Sequence, residues 1–112
     1  MAQDPRLKGE RIAKLEAMLQ RTPDDPFLLY CLAMEHKKAQ DVKQAVELFD
    51  RVTMIDMNYC AAYHMKAQTL ENAGDFAGAK QAYRDGIQAA ERKGDDHARG
   101  EMAAALSMLE DM

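Results

Sequence analysis

Apolar residues recur at intervals of three and four along most of the chain, which is the spacing of one face of an α-helix. The first predicted helix shows it plainly, with Ile12, Leu15, Met18 and Leu19 on a single face. β-branched residues, which favour strands, are few, and no strand is predicted. The pattern predicts an all-α chain of six helices, over about residues 5–21, 26–39, 42–56, 59–73, 76–92 and 97–110.

Several of these helices follow a residue that can cap a helix N-terminus. Asp4 and Asp25 each precede a proline, which is well tolerated at the first helical position. Asp41, with Gln44 three residues later, resembles a capping box for the third helix. Asn58 is expected to cap the fourth helix.

The chain also repeats itself at a fixed offset. Ala45, Phe49 and Val52 recur as Ala79, Tyr83 and Gly86, and Leu29 and Ala33 recur as Tyr63 and Ala67. A period near 34 with small and aromatic residues at fixed positions is typical of stacked helix-turn-helix units. Each such unit buries its apolar face only against its neighbours, so the stack forms an extended curved surface.

Slot by slot, these units resemble the tetratricopeptide repeat, whose pattern is a bulky residue, Leu-Gly, an aromatic, then Ala, an aromatic and Pro. The first unit spans about 26–59 and the second about 60–93. His36 and Met57 depart from the aromatic and Pro slots in the first unit, and Lys66 and Glu91 depart from the Leu and Pro slots in the second.

The resemblance extends over almost the whole chain. The helix at about 5–21 resembles the back half of a preceding unit, and the helix at about 97–110 is interpreted as a C-terminal capping helix. The implied fold is a short right-handed α-solenoid of antiparallel helix hairpins that forms one domain over residues 1–112.

Composition narrows the function. The 112 residues carry 15 Lys and Arg against 19 Asp and Glu, a net charge of −4 with both signs scattered along the chain. Nucleic acid and anionic membranes are therefore not expected as partners. No segment approaches the roughly 18 apolar residues of a membrane span, and no signal peptide is evident. A cytoplasmic location is expected, with Cys31 and Cys60 as free thiols.

In the family that the chain resembles, the first helix of each unit lines a concave groove along which peptides lie. The resemblance therefore implies a groove formed by Phe27, Tyr30, Cys31, Met34, Lys37 and Lys38 in the first unit and by Ala61, His64, Met65, Gln68 and Asn72 in the second. A well-known subset of the family grips a C-terminal carboxylate through Lys, Asn and Arg, and that set is not present here. This groove suits a short apolar or amphipathic segment with an acidic flank.

One alternative concerns the aromatic part of the groove. The helix at about 5–21 could fold over Phe27, Tyr30 and Met34 and simply bury them. The opposite stripe of the same helix already supplies a core face through Leu29 and Leu32, which favours the groove.

Candidate chemistry is sparse. Cys60 and His64 lie four residues apart on one predicted helix face, a spacing that can place a thiolate and an imidazole on one metal ion. Two ligands do not make a site, so no metal and no cofactor are expected. The same pair lacks the oxyanion site and the orienting third group of a covalent catalyst. The chain is therefore predicted to be non-catalytic and to bind a protein or peptide partner.

A second interpretation keeps the fold and changes its use. The last helix is apolar over much of its circumference, and its extra apolar face comprises Ala103, Ala104, Leu106 and Met108. This face could pair with its copy across a two-fold axis and make the chain a homodimeric scaffold.

Overall fold

The computed structural model describes the backbone of residues 5–112 and the side chains from residue 9 onward. The described chain is helical, with helices α1 (Pro5–Arg21), α2 (Pro26–Lys38), α3 (Val42–Ile55), α4 (Cys60–Asn72), α5 (Phe76–Lys93) and α6 (Asp96–Glu110). The prediction of an all-α, six-helix chain is confirmed. In the part of the chain that the structure describes, none of these helices is long and apolar enough to cross a membrane.

Two of the predicted N-terminal caps, at Asp25 and Asp41, are formed by aspartate side chains. The Asp25 side chain accepts hydrogen bonds from the backbone N–H groups of Phe27 and Leu28, at 2.9 and 3.2 Å. Asp41 accepts from the N–H of Gln44, as predicted, at 3.3 Å. The predicted cap at Asp4 lies outside the described residues.

The prediction that Asn58 caps α4 is wrong. Tyr59 stands at the N-cap position and makes no side-chain capping bond. The carboxamide oxygen of Asn58 instead accepts a hydrogen bond from Nε of Arg92, at 3.0 Å. A second Arg92 nitrogen donates to the carbonyl of Met57 at 2.9 Å, so Arg92 ties the end of α5 to the α3–α4 turn. Only the tertiary fold brings these residues together.

Successive helices pack as antiparallel neighbours, and the hairpins stack so that α2, α4 and α6 lie side by side. The first hairpin, α2 and α3, holds one buried cluster, against which Ile12, Leu15 and Leu19 of α1 pack. The second hairpin, α4 and α5, shares a second cluster with Met102 and Leu109 of α6. Each hairpin therefore completes its core with a helix from outside itself, as repeat stacks do.

Two departures from the repeat pattern have structural consequences in the second hairpin. Lys66 occupies the repeat position that Leu32 holds in the first hairpin, and its Nζ lies 2.7 Å from a carboxylate oxygen of Asp50 on α3. Glu91 stands at the Pro slot, so α5 continues through Lys93 and ends at Gly94 with a left-handed φ of 75°. As a result α6 begins at Asp96, two positions later than the spacing between the starts of α2 and α4 would place it.

Candidate functional site

The side-by-side helices α2, α4 and α6 present one continuous face, and the middle of that face has an aromatic floor. The Tyr30 ring packs against Phe49 and Tyr59, with ring centroids 5.9 and 5.3 Å apart. Met34 and Met65 are half-buried and pack against the core of the first hairpin. These side chains have structural partners, and the part of each that remains exposed forms the floor of the groove.

Phe27 differs from its neighbours because its side chain is 61% exposed. Helix α1 directs Ile12, Leu15 and Leu19 at the first-hairpin core and leaves Phe27 open to solvent. The alternative that α1 buries this residue is therefore wrong. Tyr30 and Met34 are half-buried, and they pack against the same core cluster as Ile12, Leu15 and Leu19 of α1.

A depression of about 410 Å³ lies between the N-terminal halves of α4 and α6. It includes two of the predicted groove residues, Ala61 and His64, together with Cys60. The imidazole of His64 is half-buried with its ring edge toward Tyr83, at 5.8 Å between centroids. The remaining lining comes from the adjoining turns and from α6: Asp56, Tyr59, Lys93, Asp95, His97, Ala98, Glu101 and Met102.

A second depression, of about 400 Å³, lies at the opposite ends of α2 and α4. Lys37, Lys38 and Asn72, all predicted groove residues, line it together with residues of the adjoining turns. Lys38 is drawn toward Glu35, with Nζ 3.8 Å from the carboxylate. Five of the eleven predicted groove residues thus line one of these two depressions. The other six line neither: Phe27, Tyr30, Cys31, Met34, Met65 and Gln68.

The exposed stripe of α4 joins the two depressions. Ala61 and His64 line the first, Asn72 lines the second, and the half-buried Gln68 lies between them. Steps of three and four residues keep these side chains on one side of the helix. Over this distance a helix rises by about 16 Å, which an extended peptide covers with roughly five residues.

A larger depression, about 710 Å³, lies away from this face and is lined by α1, α2 and α3. None of the predicted groove residues contributes to it. Its walls carry long polar side chains, including the negative Glu16, the neutral Gln20 and the positive Arg51.

The two thiols lie on or beside the groove and are suited to packing. Burial raises the pKa of Cys31, and the nearby carboxylates of Asp25 and Glu35 raise it further. Burial also raises the pKa of Cys60, against a lowering effect of Lys93. A raised pKa keeps both thiols protonated at neutral pH, which makes them poor nucleophiles. Among the described side chains, no group of three or more His, Cys, Asp or Glu is arranged to hold a metal ion.

The contribution of α6 to the groove is what sequence reasoning missed. His97 and Glu101 line the first depression, although the last helix is interpreted from the sequence as a cap and no groove residue is expected on it. The available signal is the repeat itself, because α6 follows α5 as α4 follows α3. An offset of 34 from Ala61 and His64 leads to Asp95 and Ala98, which also line this depression.

Comparison with known proteins places this architecture in a family. No protein-family model matches the sequence. Over 99 residues, however, the chain is 33% identical to a TPR repeat-containing protein of Pseudomonas aeruginosa, in a match that spans 88% of this chain and 94% of the relative. The chain belongs to the tetratricopeptide repeat (TPR) family.

Solved structures agree with this assignment. A Bordetella parapertussis protein of known solution structure is 29% identical and superimposes with a TM-score of 0.77, covering 89% of this chain and 87% of the other. The TPR2B domain of yeast Sti1, solved in a complex with pHsp70, has a TM-score of 0.81 at 16% identity, covering 95% and 93%. At this low identity, the likeness to the Sti1 domain shows a shared fold alone.

Helix α6 packs against α5 and is the last helix of the chain that the structure describes. Of the four predicted self-interface residues, Met108 is 74% exposed and Ala104 is exposed. Leu106 instead packs against the C-terminal core and is half-buried, as is Ala103. A self-interface on α6 would therefore depend mainly on Met108 and Ala104.

Proposed function

We propose that this TPR protein is a non-catalytic module that binds a segment of a partner protein along the face formed by α2, α4 and α6. The observation that carries the proposal is the stripe on α4 that connects two depressions of about 410 and 400 Å³. Depressions of this size fall within the range that holds small ligands and side chains. The TPR2B domain of Sti1, which shares the fold, was solved with a protein partner.

The chemistry of the face favours an amphipathic segment. Phe27 offers an exposed aromatic ring at one edge, while Met34 and Met65 form a polarizable and adaptable floor. His64 and Gln68 add polar groups in the middle of the groove. Such surfaces accept apolar side chains of varied shape and hold the backbone through a few hydrogen bonds.

The state of the candidate pair Cys60 and His64 supports the proposed non-catalytic role. The Cys60 thiol has a raised pKa, and the His64 ring packs its edge against Tyr83. The thiol would stay protonated at neutral pH, so this pair does not form an activated nucleophile and its base. We also propose a cytoplasmic location, where both thiols would remain reduced.

Selection of peptides from a random displayed library on the immobilised protein tests groove binding. The expected result is enrichment on the wild type that the double variant Phe27→Ser and Gln68→Ala reduces at least tenfold. The matched control is Met54→Ser, which removes an 85% exposed apolar side chain from α3, outside the groove. Equal enrichment on the double variant and the control would contradict the proposal.

Self-association through α6 is the second candidate, and the exposure of Met108 favours it. A dimer of this kind would bury the Met108 side chain against a second copy. Light scattering across a wide concentration range is expected to give a dimer mass that Met108→Glu reduces to the monomer mass. A monomer at all concentrations would exclude this use of α6.

A further inference from the structure

The two ends of the groove carry opposite charge. Asp56, Asp95 and Glu101 line the depression between α4 and α6, and Lys93 is the one Lys or Arg among its lining residues. With both histidines neutral, that wall has a net charge of −2. Its exposed apolar side is formed by the half-buried Tyr59 and Ala98, which can cover the methylene stem of a long side chain.

The other end is positive. Lys37 and Lys38 line the second depression, and no carboxylate is among its lining residues. Glu35 draws Lys38 at 3.8 Å but also lies 3.9 Å from Arg11, so its charge is shared between two cations. An incoming carboxylate would meet lysine nitrogens that the protein does not fully neutralise.

The charges at the two ends of the groove act on a bound segment independently of each other. The groove stripe between them is about 16 Å long, whereas the Debye length at physiological ionic strength is about 8 Å. A charge bound at one end is therefore largely screened from the protein charges at the other. Each end can select one charged residue of the bound segment on its own.

Given that the groove binds a polypeptide, as proposed above, we propose that it selects an extended partner segment with a basic and an acidic residue at least five positions apart, because the two depressions lie on opposite sides of α4 as well as at its two ends. The basic side chain lies in the depression between α4 and α6, with its stem on Tyr59 and Ala98 and its charge near Glu101. The acidic side chain meets Lys37 and Lys38. Apolar or small residues lie between them, over the aromatic and methionine floor.

Of the three carboxylates, Glu101 is the one suited to mutation. The side chain of Asp95 caps α6 by accepting from the N–H of Ala98, and that of Asp56 accepts from the N–H of Asn58. Glu101 is exposed and pairs only with the exposed His97 among the described residues, at 2.8 Å. Its replacement leaves both turns intact.

The peptide selection described above also tests this inference. Peptides enriched on the wild type are expected to share a basic and an acidic residue at a fixed spacing of at least five positions, in either chain direction. Selection on Glu101→Lys should remove the basic position from the consensus, and selection on Lys37→Glu with Lys38→Glu should remove the acidic one. Glu47→Lys on α3 and Lys14→Glu on α1, charge reversals at exposed sites outside the groove, are expected to leave the consensus unchanged.

Binding of one selected peptide to the wild type provides a second measurement that needs no variant protein. Alanine at either charged peptide position is expected to weaken binding about two- to fivefold, the range of exposed ion pairs, and the two losses should multiply. Enriched peptides without the paired charges would overturn this inference and leave groove binding in place. No enrichment at all would overturn the groove proposal itself.

Discussion

In the first hairpin, Leu48 and Val52 hold the repeat positions that Ala82 and Gly86 hold in the second. The first hairpin fills its core with its own aliphatic side chains, and α1 packs against it from outside. The second hairpin has space at Gly86, and Met102 of α6 enters that space. Equivalent repeat positions therefore lie at equivalent helix contacts. The side chain that fills the space at such a contact can come from either of the two helices.

The groove shows the same division. The helix of the first hairpin contributes Phe27, Tyr30 and Met34, whereas that of the second contributes Ala61, His64 and Gln68. Helix α2 thus supplies both aromatic residues of the predicted groove and both of its lysines, whereas α4 supplies its histidine and its amides. Because the buried residues form two clusters, the comparison can be tested one hairpin at a time.

The largest effect is expected in the first hairpin at Phe49, whose side chain is completely buried. Phe49→Ala should lower the free energy of unfolding by about 3–5 kcal/mol, because it removes a packed ring and leaves a cavity. Urea unfolding followed by circular dichroism measures the change. Phe27→Ala removes the same ring from an exposed position and should cost about 0.5 kcal/mol or less. Similar losses at both positions would contradict the assignment of the core.

In the second hairpin, Gly86→Ala is expected to lower the free energy of unfolding by about 1–3 kcal/mol through overpacking. An added Cβ would overlap with the sulfur of Met102 and lie 2.8 Å from Cβ of Tyr63. Gly100 is helical and has no atom within 4 Å of an added Cβ. Gly100→Ala should therefore stabilise the protein by up to about 1 kcal/mol. Stabilisation by both substitutions would show that Met102 does not occupy the space at Gly86.

The next effect distinguishes the aromatic residues of the two cores. The Tyr83 hydroxyl donates a hydrogen bond to the Glu71 carboxylate at 3.2 Å, an interaction that Phe49 cannot make at the equivalent position. Tyr83→Phe is expected to lower the free energy of unfolding by about 0.5–1.5 kcal/mol. If Tyr83→Phe causes the same loss in a Glu71→Gln background, the negative charge of Glu71 contributes little to this hydrogen bond.

The same hydroxyl gives the second hairpin a pH dependence. Burial, and then the negative charge of Glu71, raise the pKa of Tyr83 from 10.0 to about 12. Because the folded-state pKa is above the unfolded value, this contribution is complete below pH 10 and is lost as the pH rises toward 12. Unfolding free energies measured over this pH range should fall more steeply for the wild type than for Tyr83→Phe. Parallel curves of unfolding free energy against pH for the two proteins would contradict this pH dependence.

The smallest effect is expected at Lys66, which stands where the first hairpin has Leu32. Its ion pair with Asp50 is short, but the two side chains are 27% and 47% exposed. Partly exposed pairs contribute little, so Lys66→Leu should change the free energy of unfolding by less than about 1 kcal/mol in either direction. A loss above about 2 kcal/mol, well beyond the range of such pairs, would make this pair a principal link between the hairpins.

Much of the fold was predictable because its signals are local. Apolar spacing and the caps at Asp25 and Asp41 place helix starts within a few residues, and the recurrence of Phe49 as Tyr83 gives the stacking of the hairpins. The helix spans, the all-α class and the TPR resemblance are confirmed. The division into repeats at 26–59 and 60–93 and the composition of the groove stay predictions.

The sequence by itself determined the helices and their pairing, because these depend on residues within one or two turns or at a fixed offset. Only the tertiary structure decided that α6 lines the depression beside α4, that Asn58 meets Arg92, and that Leu106 packs inward. Each of these contacts joins side chains from different elements of the chain, which come together only when the helices pack. The opposite charges at the two ends of the groove arise in the same way, from residues that come together only when the helices stack.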